Sequence, residues 1–122
     1  MYKILVVDDE AKIRSIIKKY AEFEGHTVTE ATDGICAVYI CKENTFDIII
    51  MDIMMPVMDG LEATRRIRKL NKKDASYIPI IAMTANAFRE DVQKSLDAGM
   101  NEHISKPVDM ETIMMVISKF FS

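Results

Sequence analysis

A short apolar run that ends in an acid, Phe46-Asp47-Ile48-Ile49-Ile50-Met51-Asp52-Ile53-Met54-Met55-Pro56, determines how the rest of this chain must be arranged. Residues 48–51 are continuously apolar and mostly β-branched, which is typical of a short strand covered on both faces, as in a parallel sheet. Asp52 stands at the tip of this strand. A carboxylate there is badly placed for stability and well placed for chemistry, so Asp52 is the first candidate functional residue.

Four further strands are predicted, with helical periods in the intervals between them. They cover residues 3–7, 27–31, 78–83 and 102–105. The alternating pattern of residues 27–31 suggests an edge strand. The helix expected at 87–98 has a thin apolar face, which favours a helix that shifts easily. The strict alternation of strands and helices predicts an α/β fold, a parallel sheet with helices on both faces.

Several helix ends are marked by residues that favour helix termini. Gly25 and Gly99 are expected to end helices, because glycine readily adopts the left-handed backbone conformation found there. Asp33 and Asp59 are expected to cap the starts of two others. Asp109 opens a last helix, in which Ile113, Ile117 and Phe120 recur at core spacing.

Length, charge and cysteine content narrow the class of protein. A chain of 122 residues forms one domain, residues 1–122. The net charge of −3 does not suggest direct binding to nucleic acid. No apolar run has membrane-spanning length and no signal-type segment opens the chain, so we expect a cytoplasmic protein without membrane contact. The spacing of Cys36 and Cys41 suits neither a disulfide nor a usual zinc site, and both are expected as free thiols.

The ends of the predicted strands carry a chemically coherent set of side chains. Asp8 and Asp9 follow the first strand, Thr84 the fourth and Lys106 the fifth. In parallel α/β sheets, ligands bind beyond the carboxyl ends of the strands. Three converging carboxylates repel one another unless a divalent cation lies among them, and so few hard oxygen ligands favour Mg²⁺. With a lysine and a hydroxyl added, the set suits transfer of a phosphoryl group to the Asp52 carboxylate.

Four segments, in this order along nearly the whole chain, resemble the signature segments of response-regulator receiver domains. They are Val6-Val7-Asp8-Asp9-Glu10, Met51-Asp52-Ile53-Met54-Met55-Pro56-Val57-Met58-Asp59-Gly60, Met83-Thr84-Ala85-Asn86-Ala87 and Ser105-Lys106-Pro107. The resemblance implies a flavodoxin-like (βα)5 fold with strand order 2-1-3-4-5. It also implies a two-component signalling protein that accepts a phosphoryl group and is not itself an enzyme, although it can assist its own phosphorylation and dephosphorylation.

The resemblance assigns Asp52 as the acceptor of a phosphoryl group. The donor would be a phosphohistidine on a sensor histidine kinase or on a histidine phosphotransfer protein. The metal would be Mg²⁺, bound by the side chains of Asp9 and Asp52 and by the backbone carbonyl of Met54. Asp8 would act on the metal largely through water.

The same resemblance assigns the response to phosphorylation. Lys106 would pair with Asp52 and then with the phosphoryl group, and the Lys106–Pro107 peptide bond is expected to be cis. Thr84 would move to bond the new phosphoryl oxygen. The face formed by the helix at 87–98, the fifth strand and the last helix would then bind partners.

One position, 103, differs from the common pattern of the family, and two others, 54 and 86, are expected to affect how long the phosphoryl group stays. His103 stands where the family usually has Tyr or Phe, so we expect weaker or pH-sensitive switching, since a charged imidazolium resists an apolar pocket. Met54 and Asn86 flank the path of the water that would remove the phosphoryl group. Because Met54 is bulky and apolar, we expect slow loss of that group.

The last helix is a further candidate surface. An apolar strip of Met114, Met115 and Val116 is expected to be exposed there and to contact a partner. A weak dimer through this helix is possible, but Lys119 without any Arg weakens the salt-bridged dimer common among DNA-binding regulators. The front half of the chain resembles receivers of that class, and the rear half resembles receivers of hybrid histidine kinases.

Alternative functions remain to be weighed. A Mg²⁺-dependent aspartyl-phosphate phosphohydrolase typically has a second Asp two residues after the nucleophile, where this chain has Met54. A flavodoxin-like nucleotide or flavin binder needs a phosphate-binding loop after the first strand, and an acidic sequence stands there instead. A degenerate receiver that acts only as a binding module is the third alternative.

Overall fold

The computed structural model of the protein describes residues 1–85 and 89–121. Its elements in chain order are β1 (Lys3–Val7), α1 (Ala11–Phe23), β2 (Thr27–Ala31), α2 (Gly34–Glu43), β3 (Ile48–Asp52), α3 (Gly60–Arg68), β4 (Ile80–Thr84), α4 (Arg89–Ala98), β5 (Glu102–Ser105) and α5 (Met110–Phe121). The strands form one parallel sheet in the order β2-β1-β3-β4-β5. The predicted flavodoxin-like (βα)5 fold and its strand order are confirmed, and β2 is an edge strand as expected.

The central strand β3 divides its side chains between two cores. Ile49 and Met51 pack on the side of the sheet that carries α2 and α3. Ile48 and Ile50 pack on the opposite side, against α1 and α5. Every residue of β3 is buried, because alternate residues of a strand point to opposite faces and both faces are covered. Asp52 is therefore delivered to the rim of the sheet by a strand that is buried along its whole length.

The helix termini follow the polar residues that the sequence places there. Asp33 accepts a hydrogen bond from the Cys36 N–H at 2.7 Å and caps α2. Asp59 does the same for α3, accepting from the Glu62 N–H at 2.8 Å. Just beyond α1 and α4, Gly25 and Gly99 have φ angles of 89° and 109°. These expected caps are confirmed.

The start of the fourth strand differs from the prediction. β4 begins at Ile80 rather than at residue 78. The Ile78 N–H is engaged by the Asp74 carbonyl at 2.9 Å in a turn, and Pro79 has no N–H to offer a ladder. Pro79 still contributes through its carbonyl, which accepts from the Ile49 N–H at 2.9 Å. The prediction begins this strand too early because Ile78 is apolar, although Ile78 belongs to the preceding turn.

The exposed strip predicted on the last helix is partly wrong. Met115 is 64% exposed and Met114 is partly buried, but Val116 is only 7% exposed. Val116 belongs to the core face of α5 together with Ile113 and Ile117, at the i, i+3, i+4 spacing of residues on one side of a helix. Met115 is thus what remains of the strip as a well-exposed apolar side chain.

Other expectations concern the cysteines, the membrane and residues 86–88. Cys36 and Cys41 are free thiols, as predicted, the first partly buried and the second buried. Within the described ranges, none of the helices combines the length and hydropathy needed to cross a bilayer. The predicted start of the helix at 87 and the candidate Asn86 lie outside the described residues, so α4 is known from Arg89 to Ala98.

Candidate functional site

The register of the sheet brings the predicted acids to one point on its rim. Val7 pairs with Met51 across β1 and β3, and the residues that follow or end these strands are Asp8, Asp9 and Asp52. One carboxylate oxygen from each of the three acids lies within 4.8 Å of the others. Because parallel strands end at the same edge of a sheet, residues 44 positions apart become neighbours here. The structure thus assembles the acidic cluster that the sequence predicts.

Asp8 is a fully buried acid with two differently used oxygens. Its Oδ1 accepts a hydrogen bond from the Glu10 N–H at 2.9 Å. Its Oδ2 lies 3.2 Å from Lys106 Nζ as an ion pair, yet no donor in the described ranges meets it with hydrogen-bond geometry. Burial raises the pKa of Asp8, and the Glu10 N–H and Lys106 oppose that rise. A buried carboxylate oxygen in this condition is well suited to contact a cation or its water.

Asp52 combines burial with a raised pKa. The residue is 3% exposed, and its Oδ2 lies 3.3 Å from Lys106 Nζ. Burial first and the neighbouring Asp8 second raise its pKa to about 6, while Lys106 and the Met54 N–H oppose the rise. The carboxyl group is therefore largely ionised at neutral pH, but burial and the neighbouring Asp8 charge raise the free energy of its ionised form. A cation that neutralised it would relieve that cost.

Lys106 reaches both acids from the end of β5. Its backbone N–H donates to the Thr84 carbonyl at 2.9 Å, which fixes the start of the loop, and the Lys106–Pro107 peptide bond is cis as expected. Burial alone would lower the pKa of Lys106. The carboxylates of Asp52 and Asp8 outweigh burial and raise that pKa. Lys106 is therefore an ammonium ion placed between two carboxylates.

The residues present fit a hard divalent cation. Buried Asp8 and Asp52 and exposed Asp9 offer carboxylate oxygens on one side, and the open side at Asp9 leaves room for water or a phosphate oxygen. Such a site, with few protein oxygens and space for other ligands, is the kind that Mg²⁺ occupies. The Met54 N–H faces Asp52. Met54 itself is 75% exposed. The donor set of this acidic cluster therefore fits Mg²⁺.

Thr84 and His103 lie on the neighbouring strands rather than in the acidic cluster. Thr84 is the buried last residue of β4, and its Cα pairs with Ser105 of β5. His103 is half-buried on β5, where its Cα pairs with Ala82 and its Nδ1 lies 3.9 Å from Glu102 Oε1. Because strand side chains alternate, Ala82, Thr84 and His103 belong to one face of the sheet. His103 is thus on the same face as the predicted switch residue.

Two residues that support the site were missed by sequence reasoning. Arg14 of α1 donates from Nη1 to the Asp8 carbonyl at 2.6 Å. Gly60 sits so close to the strand end that a Cβ there would lie 2.3 Å from the Asp52 carbonyl oxygen. The sequence could have indicated Gly60, because a glycine directly after a capping Asp is consistent with a close approach of another segment of backbone. The indication for Arg14 is weaker, namely its position one turn beyond the acidic pair.

Comparison with known proteins gives consistent results. The family model for the response regulator receiver domain matches residues 4–118. Hybrid signal transduction histidine kinase I of Dictyostelium discoideum is 36% identical over 121 residues, which cover 95% of this chain and 7% of that protein. Sensor protein EvgS of Escherichia coli strain K12 is 36% identical over 116 residues, covering 95% of this chain and 9% of that protein. The chain therefore spans less than a tenth of the length of these two curated relatives.

Solved structures agree in fold. The chemotaxis protein CheY4 of Vibrio cholerae superposes with a TM-score of 0.93 at 30% identity, covering 98% of each chain. The receiver domain of sensor histidine kinase PA1611 from Pseudomonas aeruginosa superposes with a TM-score of 0.88 at 35% identity, covering 99% of this chain and 98% of that one. The latter structure has a magnesium ion coordinated in its active site cleft.

Proposed function

Because this chain belongs to the response regulator receiver domain family, we propose that it is the phosphoacceptor of a two-component phosphorelay, with Asp52 as the residue phosphorylated. The observation that carries the proposal is the meeting of three carboxylates and one ammonium at the strand ends, with Asp52 buried beside Lys106. The donor would be a phosphohistidine on a sensor histidine kinase or a histidine phosphotransfer protein. The similarity to receivers within hybrid histidine kinases supports such a donor.

In the proposed reaction, an Asp52 carboxylate oxygen attacks the phosphorus atom of the phosphohistidine. A new O–P bond forms as the P–N bond breaks, and the imidazole nitrogen leaves with the electron pair. Asp52 is suited to attack because its pKa of about 6 leaves it ionised at neutral pH and less stabilised than an exposed carboxylate. Lys106 Nζ already lies 3.3 Å from Asp52 Oδ2. After the transfer it can pair with the negatively charged phosphoryl oxygens.

The metal would be Mg²⁺, held by Asp9, Asp52 and the Met54 backbone carbonyl, with Asp8 contacting it largely through water. When bound, the ion supplies positive charge to the phosphoryl oxygens as the group is transferred. The buried Asp8 Oδ2, which lacks a donor of good geometry among the described residues, supports this arrangement. The Mg²⁺-bound neighbour from Pseudomonas aeruginosa supports the choice of metal.

The response to phosphorylation is assigned to the face of α4, β5 and α5. The Thr84 hydroxyl would donate to a phosphoryl oxygen, and His103 on the same sheet face would occupy the space that Thr84 leaves. On α5, Lys119 forms an ion pair with Glu102 of β5 in the same chain. That pairing engages the cation that a salt-bridged dimer through α5 would need, so any dimer there would depend on apolar contact at Met115.

The main test is phosphorylation by a small donor. The chain is incubated with acetyl phosphate and Mg²⁺, and the intact mass is measured for the wild type and for Asp52→Asn. We expect the wild type to gain one phosphoryl group, and both the variant and a wild-type sample in EDTA to gain none. Equal modification of wild type and Asp52→Asn would reject Asp52 as the acceptor.

The phosphohydrolase alternative makes the opposite prediction about phosphoryl lifetime. Met54 places an exposed apolar side chain where such an enzyme needs an acid, so we expect the phosphorylated protein to lose its group slowly. Met54→Asn should shorten the lifetime, because an amide can orient the attacking water. The decay of the phosphorylated mass after removal of donor measures this. A wild-type lifetime no longer than that of Met54→Asn would contradict slow loss.

A further inference from the structure

The guanidinium of Arg14 joins the edge strand β2 to residues 8–10, the loop that follows β1. Arg14 of α1 is largely buried, with 13% of its side chain exposed. Its Nη1 donates to the Asp8 carbonyl at 2.6 Å, and its Nε donates to Glu30 Oε1 on β2 at 3.1 Å. We propose that Arg14 is a positioning residue for the metal site, which fixes the peptide between Asp8 and Asp9 and so aims the Asp9 carboxylate. This inference rests on the proposed function.

The peptide that Arg14 contacts lies beyond the regular sheet. β1 ends at Val7, and the Asp8 N–H still donates to the Ala31 carbonyl at 3.2 Å. The Asp8 carbonyl belongs to the next peptide unit, which also contains the Asp9 N–H. Because a peptide unit is planar and rigid, holding its oxygen fixes the direction in which Asp9 leaves it. Arg14 thereby controls the one acid of the cluster that burial does not hold in place.

The main chain of Arg14 also contacts the loop of residues 8–10. The Arg14 N–H donates to the Glu10 carbonyl at 3.3 Å, and the Glu10 N–H donates to Asp8 Oδ1 at 2.9 Å. Residues 8–10 are therefore bracketed by two contacts from Arg14, one from its side chain and one from its main chain. A displacement of the guanidinium would release the Asp8 carbonyl but would keep the main-chain hydrogen bond between Arg14 and Glu10 at the start of α1.

The geometry requires an arginine. Nη1 and Nε lie at separate corners of one planar group and meet acceptors on different elements, a fixed spacing of donors that a single ammonium nitrogen does not provide. Glu30 is itself shared, since Lys18 Nζ lies 3.7 Å from its Oε2. Lys18 provides a matched comparison, because it contacts the same Glu30 and the structure shows no bond from its side chain to the Asp8 carbonyl among the described residues.

Charge and position predict opposite effects for Arg14. A cation close to the acidic cluster opposes Mg²⁺ binding through repulsion, so its removal by charge alone would tighten binding. If Arg14 acts by positioning, its removal must weaken binding instead. The sign of the change therefore separates the two roles.

The experiment is a Mg²⁺ titration followed by the backbone amide NMR shifts of wild type, Arg14→Gln, Arg14→Lys and Lys18→Met. We expect Arg14→Gln to weaken Mg²⁺ binding about tenfold, as loss of a partner that orients a metal ligand typically does. Arg14→Lys should recover part of the loss, and Lys18→Met should bind at least as tightly as the wild type. The same spectra in EDTA report whether each variant is folded.

Mg²⁺ affinity in Arg14→Gln equal to or tighter than the wild type would overturn the proposal, and so would an equal weakening in Lys18→Met. If Arg14→Gln does not fold, Arg14→Lys decides, because it keeps the charge: weaker binding by this folded variant supports the role and unchanged binding overturns it. Failure of the wild type itself to bind Mg²⁺ would overturn the metal site, a result distinct from an unchanged affinity in the variants.

Discussion

At the ends of β1 and β3, Asp8 and Asp52 are held by burial and by Lys106, whereas α4, which follows β4, rests on small side chains. We call the first region, Asp8, Asp9 and Asp52 with the adjoining helices α1 and α3, the acidic half, and the second, Thr84 and His103 with α4, the responding half. In α3, the buried face includes Ile67 and the close-packed Gly60 and Ala63. Among the described side chains of α4, the buried ones are Ser95 and Ala98, and Leu96 is 49% exposed.

The difference teaches where geometry is fixed and where it can change. Burying Ala or Ser removes far less apolar area from water than burying Ile, so the side chains described in α4, residues 92–98, hold their helix less firmly than those of α3 do. A metal and phosphoryl site requires ligands that stay in place, and a signalling face requires an element that moves at low cost. The same sheet supplies both because its rim joins two differently packed groups of helices.

The two halves are also physically tied. Arg68, the last residue of α3, donates to the Gly99 carbonyl from Nε at 3.0 Å and from Nη2 at 2.7 Å. Its Nη2 also reaches Asn101 Oδ1 at 2.8 Å, and its Nη1 donates to the Ala75 carbonyl at 3.2 Å. The residue just beyond α4 is thus anchored to the well-packed helix. We expect α4 to shift about this anchored end.

The largest expected effect comes from disrupting the acidic half at Gly60. In Gly60→Ala the new Cβ would lie 2.3 Å from the Asp52 carbonyl oxygen and 3.0 Å from the Ile53 Cα, both backbone atoms of the strand end. We expect the free energy of unfolding to fall by about 3 kcal/mol, since an overpacked backbone contact cannot be relieved by a rotamer change. Urea unfolding measures it.

The matched control is Gly25→Ala, at a glycine with φ of 89° and no atom within 4 Å of the added Cβ. Left-handed backbone strain alone should lower the free energy of unfolding there by about 1 kcal/mol. A Gly60→Ala loss no larger than the Gly25→Ala loss would show that the close approach is not what holds α3 on the strand end.

The tie between the halves is tested by Arg68→Met. The variant keeps most of the apolar stem and removes the charged hydrogen bonds to Gly99, Asn101 and Ala75, so we expect a loss of about 2 kcal/mol in the free energy of unfolding. Amide hydrogen exchange should accelerate more in α4 and residues 99–101 than in α3. Arg66→Met, which removes an exposed pair with Glu62, is the control and should cost less than about 0.5 kcal/mol. Equal acceleration in both helices would contradict the anchor.

The electrostatic cost within the acidic half predicts a pH-dependent stabilisation by Asp52→Asn. The pKa of Asp52 is raised from 3.8 to about 6, so the native state binds the proton more tightly than the unfolded chain. Wild-type stability is therefore lost as pH rises from 3.8 through 6, and this loss is complete above pH 6. An amide does not titrate. In EDTA at neutral pH we expect Asp52→Asn to be more stable by about 1–2 kcal/mol, after the lost pairing with Lys106 is included.

Thermal and urea unfolding of wild type and Asp52→Asn on both sides of this window measure the effect. The advantage of the variant should shrink as the pH falls below 6, where the wild-type carboxyl takes up its proton. Saturating Mg²⁺ should also reduce it by stabilising the wild type. Glu22→Gln, at an exposed acid of α1, serves as the control for a change of one charge. An Asp52→Asn advantage that does not vary with pH would refute the assigned cause.

The smallest expected effect lies in the responding half, at His103. Tyrosine can enter an apolar space without the cost of burying a charged imidazolium, so His103→Tyr should bias the phosphorylated protein further toward its switched form. We expect a change below about 1 kcal/mol, seen as larger phosphorylation-induced amide shifts in α4 and β5. Identical shifts in both proteins at every pH would remove His103 from the switch.

The sequence predicts the fold and the site residues where local patterns carry the information. The apolar runs and the acids that end them identify β1 and β3 and place Asp8 and Asp52 on one edge, since parallel strand ends must coincide. The start of β4 was missed because hydrophobicity does not reveal that the Ile78 N–H is used in a turn. Val116 was misplaced because α5 packs on a broader face than three core positions suggest.

The supporting contacts could not be predicted because they join distant parts of the chain. Arg68 bonds to Gly99, 31 residues away, and nothing in either local sequence marks the other as a partner. Arg14 is one of several basic residues of α1, and its choice of the Asp8 carbonyl depends on how the helix packs on the sheet. Patterns of residue type locate the groups that do the chemistry more readily than those that hold them.

The order of the site residues along the chain has a consequence for synthesis. Asp8, Asp9 and Asp52 are all translated before Lys106, the cation that lies between two of them. A nascent chain that already holds β1 and β3 would bring like charges together with no ammonium to balance them. Native collapse of that first portion is therefore disfavoured until the last strand leaves the ribosome. We expect the domain to fold only once Lys106 has left the ribosome, rather than from its first strands onward.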